Sequence, residues 1–225
     1  MKYRIYHGSA DRIEVPQFGV GSTKNDYGLG FYCTESQDLA KEWAVRKGQN
    51  GWANSYEIES EGLKVLRLSS PQYTTLHWLT ILLQNRQFPI AEGMPRFAYD
   101  FLTLNYSIPY RDFDIIIGYR ADDSYFRFAK DFVSGTISYQ KLSQAIRLGG
   151  LGEQFVLISE AAFERIRFIG SEPVLALEWA EKAVHRDKAA RQAYSDVRLF
   201  SEDVNNLFIG DIIRNGIKPD DSRLR

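Results

Sequence analysis

Apolar and polar residues alternate from Tyr3 to His7, the period of a half-buried strand. Residues 8–30 then lose any period and are rich in Gly, Ser, Asn and Asp, with one Pro, which is the composition of a loop. Phe31-Tyr32-Cys33-Thr34 is a short strand-forming run. Ser36 or Thr34 then caps a helix that extends to about residue 47, with Leu39, Ala40, Trp43 and Ala44 on one face. Residues 54–58 and 63–68 predict strands, and residues 73–86 a helix carrying Leu76, Leu79, Ile81, Leu82 and Leu83. The apolar run at 114–118 ends at Gly118 and reads as a buried strand. Helices are expected at 124–133 and at 138–146, the second capped by Ser138. A strand follows at 154–158, then a short helix behind Ser159, then a last strand at 167–170. Residues 173–195 are polar with helical spacing, and 199–216 give one more helix.

Strands, then helices, then strands again do not form a regular βαβ alternation, so the pattern predicts an α+β fold. The composition changes near Gly170. This divides the chain into a unit at 1–170 and a helical C-terminal extension at 171–225 packed on it.

Composition narrows the function classes. The 225 residues are 44% hydrophobic and 25% charged, which excludes wholesale disorder. With 28 basic and 29 acidic residues, no global charge attracts nucleic acid or a membrane surface. Cys33 is the only cysteine, so no internal disulfide forms, and a reducing, cytoplasmic setting is expected. No apolar segment is long enough to predict a membrane span. Aromatic residues make up 14%, so a single aromatic residue is weak evidence of a site.

Several chemistries are poorly supported. Gly28-Leu29-Gly30 lacks the third glycine of a dinucleotide fingerprint. His77 lies in an apolar helix and His185 in a charged one, and neither has a ligand at i±4, so no metal site is expected. No nucleophile elbow occurs, and Cys33 reads as a packed thiol. Three pieces stand out. His7 ends the first strand and is followed by Gly8 and Ser9. Gly28 and Gly30 precede Tyr32. Glu153 and Gln154 begin a strand on opposite faces, so only one of them can face a cleft.

In this order the pieces resemble the ADP-ribosyltransferase superfamily, in the branch whose motifs run His, Tyr, Glu, as in diphtheria toxin and the poly(ADP-ribose) polymerases. Tyr6-His7-Gly8-Ser9 is similar to the first-strand motif. Gly28-Leu29-Gly30-Phe31-Tyr32 is similar to the second, and Trp43 stands where polymerase-like members place a further stacking aromatic. Residues 3–170 resemble more closely a bacterial family of transferase-like proteins of unknown function, through His7–Ser9, Tyr27–Thr34, Trp43-Ala44, Asn85-Arg86, Ala121–Asp123 and Gln154.

The resemblance implies a split, twisted β core with surrounding helices, and NAD as co-substrate in a cleft between the half-sheets. It assigns catalysis to Gln154, Tyr32 and His7, and NAD contacts to His7, Gly8, Ser9, Gly30, Tyr32, Thr34 and Trp43. His7 is expected to donate to a ribose hydroxyl, Gly8 to admit the nicotinamide carboxamide, and Tyr32 and Trp43 to stack on the ring. Gln154 replaces the usual Glu, and Glu153 takes that place if the register slips by one. With Gln154 in that place, Asp122-Asp123 is a candidate for the missing carboxylate, or a simple helix cap. The expected activity is mono-ADP-ribosylation of a macromolecule, protein or nucleic acid, by a toxin-like or effector-like protein with a neutralising antitoxin partner. NAD hydrolysis, or binding of NAD or ADP-ribose without turnover, are the alternatives.

Overall fold

The computed structural model describes residues 1–45, 48–86, 90–121, 123–147, 152–200 and 206–225. It is an α+β protein with a seven-stranded open sheet. The strands are β1 (Lys2–Ser9), β2 (Phe31–Thr34), β3 (Gly51–Glu59), β4 (Val65–Arg67), β5 (Ile115–Tyr119), β6 (Glu153–Leu157) and β7 (Ile166–Val174), in spatial order β4-β5-β6-β2-β1-β3-β7. Only β4 and β5 run parallel.

One junction is weak. β1 pairs with β3 along its whole length, from Lys2↔Glu59 to Ser9↔Trp52. It meets β2 at a single pair, Tyr6↔Thr34. β2 instead pairs fully with β6, from Phe31↔Leu157 to Thr34↔Gln154.

Period-two alternation sends successive strand residues to opposite faces. Ile115, Ile117, Phe155 and Leu157 join a smaller core with Ile5, Cys33 and Tyr56, whereas Ile116 and Val156 join the main core. Gln154 therefore shares the face of Val156, and Glu153 the other.

The main core is closed by helices. α1 (Gln37–Ala44) is capped by Ser36, whose Oγ accepts from the Leu39 N–H, and it buries Leu39, Ala40 and Ala44. α2 (Thr75–Asn85) is buried on nearly all sides, which matches its unbroken apolar run. His77 begins it structurally, since Nδ1 accepts from the Thr74 N–H at 2.9 Å. α3 (Met94–Tyr106) was not read from the sequence, although Pro95 in its first turn and Ala98, Leu102 and Tyr106 at i, i+4, i+8 mark it. α4 (Asp123–Val133), α5 (Tyr139–Ala145) and α6 (Glu160–Glu164) follow, with Ser138 and Ser159 as the expected caps of the last two.

In the C-terminal region the element bounds differ from those expected from the sequence. The boundary at Gly170 falls inside β7, which also contains Pro173; as an outermost strand β7 tolerates a residue without an N–H. The polar helix is α7 (Ala176–Phe200), and the last one is the shorter α8 (Ile209–Arg214). Residues 201–205 of the expected helix lie outside the described residues. Leu207, Ile209, Ile212, Ile217 and Leu224 sit in the main core, and the hydroxyls of Tyr106 and Tyr139 donate to the carbonyls of Ile217 and Leu224. Arg186 of α7 pairs with Glu42 of α1 at 2.6 Å. The tail thus completes the core, and its polar composition reports only the outer face of α7. Among the described residues no helix is long and apolar enough to cross a membrane.

Candidate functional site

Beyond Tyr6↔Thr34 the strands β1 and β2 part, and a cavity of about 630 Å³ opens at the gap. β1 supplies His7 and Gly8, and β2 with its approach supplies Gly30, Phe31 and Tyr32. Trp43 comes from α1, Gln154 from β6, and Arg86 and Arg120 from the ends of α2 and β5. The loop between β1 and β2 forms the remaining wall, with Val15 and Val20 largely exposed. Buried Asn54 ties the start of this loop down. Its Nδ2 donates to the His7 carbonyl, the Ser9 Oγ and the Asp11 carbonyl, and its Oδ1 accepts from the Ile13 N–H.

His7 is held where the strands separate. Its Nδ1 lies 2.7 Å from the Tyr32 carbonyl, which can only accept, so Nδ1 carries the proton. Burial pushes the imidazole below its ordinary value, partly offset by that hydrogen bond. The ring is neutral and Nε2 is an acceptor. In the neutral form a ligand hydroxyl would donate to His7 Nε2, the opposite direction to the one expected from the sequence. Phe31 packs on the ring at 4.5 Å between centroids.

The glycines serve the protein's own packing. A Cβ on Gly8 would lie 1.9 Å from the Ala40 carbonyl oxygen of α1, so glycine lets the helix sit on the strand. A Cβ on Gly30 would meet the Leu157 carbonyl at 2.8 Å. Gly28 has φ +78 and faces Asn85. Gly8 and Gly30 still line the cavity.

The Tyr32 hydroxyl donates to the Gly28 carbonyl at 2.7 Å and accepts from the Tyr27 N–H at 3.0 Å. Burial pushes this phenol far up, so it stays protonated. Its ring, not its hydroxyl, is what it can offer a ligand. The Arg120 guanidinium lies 4.5 Å from the centre of the Trp43 ring, so the stacking surface read from the sequence is shared with a cation. The buried Trp43 Nε1 has no hydrogen-bond partner among the described residues.

The register question is answered by the opposite faces of β6. Gln154 is buried and lines the cavity. Glu153 points away and pairs with Arg67 at 2.8 Å. Beside Gln154 lies a carboxylate that sequence reasoning missed, Asp26. Its Oδ2 accepts from Gln154 Nε2 and from the Ala121 N–H, and its Oδ1 from Arg86 Nε, each at 2.8 Å. Burial pushes the Asp26 carboxyl above its ordinary value, while Arg86, the Ala121 N–H and Gln154 pull it back. Every one of these neighbours donates, so the ionised form is what the surroundings accept. Asp26 lies just before the motif at 27–34, and Arg86 belongs to the Asn85-Arg86 pair of the sequence pattern; their pairing has no sequence signal.

Other expected residues fall elsewhere. Ser9 Oγ donates to the Asp11 carbonyl, and Thr34 Oγ1 accepts from the Ser36 N–H at 3.1 Å; neither lines the cavity. Asp122 and the Asp123 side chain lie outside the described residues. Cys33 is a buried thiol of the smaller core. Among the described residues no group of three or more His, Cys, Asp or Glu could hold a metal ion.

A family model described as a protein of unknown function (DUF3990) matches residues 3–168. No curated protein and no solved structure matches the chain.

Proposed function

We propose that this chain, which belongs to the DUF3990 family, is a NAD-dependent mono-ADP-ribosyltransferase with a core of the ADP-ribosyltransferase type. The observation that carries this reading is convergence: His7, Tyr32 and Gln154, far apart in sequence, line one cavity where the sheet opens between β1 and β2. About 630 Å³ is within the range of small-molecule and cofactor sites.

The residues fit NAD in kind. His7 Nε2 accepts from a ribose hydroxyl. Tyr32 and Trp43 offer ring surface to nicotinamide. The buried Trp43 Nε1 is a donor with no acceptor among the described residues, and Arg120 at the cavity wall brings positive charge for a diphosphate. In the reaction the bond from ribose C1′ to the nicotinamide nitrogen breaks, and neutral nicotinamide leaves with the electron pair. An acceptor nucleophile bonds C1′ and loses its proton. Gln154 steadies the sugar through a hydrogen bond but adds no charge, so the oxocarbenium-like state gains less here than beside a Glu.

A second reading is binding of NAD or ADP-ribose without turnover. It is favoured by the neutral Gln154 and by the engagement of Asp26 with Arg86. Incubation with NAD labelled in the ADP-ribose portion, with and without cell lysate, separates the cases. Transfer places label on a macromolecule with release of nicotinamide, hydrolysis releases nicotinamide without lysate, and binding alone shows only in calorimetry. His7→Ala should weaken NAD binding by about 1.5–3 kcal/mol, the scale of a lost buried hydrogen bond, in a folded sample. Absence of NAD binding by the wild-type chain overturns both readings.

A further inference from the structure

We propose that Asp26 is the positioning residue of this cavity: it holds the Gln154 amide with Nε2 against its carboxylate, so that Oε1 faces the cavity and takes a hydroxyl donor from the ligand. The identity of that hydroxyl as one of the ribose of NAD rests on the function proposed above; the orientation of the amide does not.

The chemistry of the contacts fixes the amide. Asp26 Oδ1 receives Arg86 Nε and Nη2, and Oδ2 receives the Ala121 N–H and Gln154 Nε2, each at 2.8 Å. An amide oxygen turned toward this carboxylate would meet only acceptors, so Nε2 must face Asp26. Oε1 is then the free end, and no described residue donates to it. His7 likewise presents an acceptor, Nε2, to the same cavity. Two acceptors facing one space call for two donors on the ligand, the chemistry of a sugar diol.

The same geometry gives a reason for glutamine at this position. Arg86 already has one carboxylate beside it. A second carboxylate at hydrogen-bond distance from Asp26 would set like charges together in a buried site. Glutamine keeps an accepting edge toward the ligand and a donating edge toward Asp26, which a glutamate cannot do while ionised.

The test is a charge-exchange cycle on the full chain: Asp26→Asn, Gln154→Glu and the two combined, read by thermal melting and by NAD calorimetry, with Gln154→Met as a further variant. Each single exchange should lower the melting temperature and weaken NAD binding about tenfold or more. The combined exchange should recover part of both, because the asparagine Nδ2 can donate to the introduced carboxylate while the Ala121 N–H, which shares that oxygen in the wild type, loses its acceptor. Gln154→Met, judged in folded samples, should lose NAD affinity. A combined variant that melts no higher than the worse single variant overturns the proposed pairing. Gln154→Met binding NAD as tightly as wild type overturns the role of Oε1. If no variant, wild type included, binds NAD, the functional reading fails, and the melting cycle still decides whether Asp26 holds the Gln154 amide.

Discussion

Replacing Gly8 with alanine separates two reasons for glycine at the end of β1, close approach of a ligand and close approach of a helix. The added Cβ would sit 1.9 Å from the Ala40 carbonyl oxygen and 2.7 Å from the Ala44 nitrogen. Real Cβ contacts essentially never fall under 3.0 Å, so α1 must back away by more than about 1 Å. Both obstructing atoms are backbone, so no side-chain rotation relieves the clash. A shift of that size strips Leu39, Ala40 and Ala44 of much of their dispersion contact, since a gap of 0.5–1 Å forfeits roughly a quarter to a half of each well. Overpacking of this kind costs about 3 kcal/mol. For a chain of this length that is a fall in melting temperature of about 6–12 °C. Gly170→Ala supplies the control, because nothing lies within 4 Å of its Cβ position and its φ is not in the left-handed region; it should stay within about 0.5 kcal/mol of wild type. Trp43 rides on α1, so NAD affinity should fall together with stability in Gly8→Ala. Calorimetry beside thermal melting checks this. A Gly8→Ala protein that melts like wild type but has lost NAD binding would refute the packing account and restore the ligand account read from the sequence.

Two further outcomes follow from the buried charges. Burial lowers the imidazoles of His7 and His77 below their ordinary value, so the folded chain binds fewer protons there than the unfolded chain. Their stabilising contribution is present above about pH 6.5 and is lost as pH falls toward the lowered folded values, with a slope of up to about 1.4 kcal/mol per pH unit for each. Urea unfolding between pH 5 and 7.5 should show this slope and show it reduced in His7→Gln; an unchanged slope would contradict the buried neutral imidazole. Arg86→Met removes the cation beside Asp26 and should cost about 3–5 kcal/mol. Without Arg86 the Asp26 carboxyl rises further above its unfolded value. The folded state then gains the proton more readily, and stability is lost as pH rises. The gap to wild type should be wider at pH 8 than at pH 5, and the reverse order would show that Asp26 is not the group left unpaired.

Local rules carried much of the chain. Alternation marked β1, short apolar runs marked β5 and β6, and the strand period placed Glu153 and Gln154 on opposite faces before any contact was known. Ser36, Ser138 and Ser159 cap the helices that their positions announced. These signals are readable because strand and helix periods, and a cap's bond to the N–H three residues on, span only a few residues. The candidate site was legible as His7, Tyr32 and Gln154, and opaque in Asp26, Arg86 and Arg120. Arg86 meets Asp26 across 60 residues and Gln154 meets it across 128, so no spacing along the chain records the pairing. The same holds for Gly8, which looks like a ligand contact in sequence, lines the cavity, and is also the floor under α1. It holds as well for the tail, whose polar composition hides the apolar residues that close the main core. What a residue prefers is set by its own chemistry and its near neighbours. Which charge, carbonyl or cavity it meets is set by where the fold brings distant segments together, and burial then strengthens the hydrogen bonds made there and raises the cost of leaving them unmade.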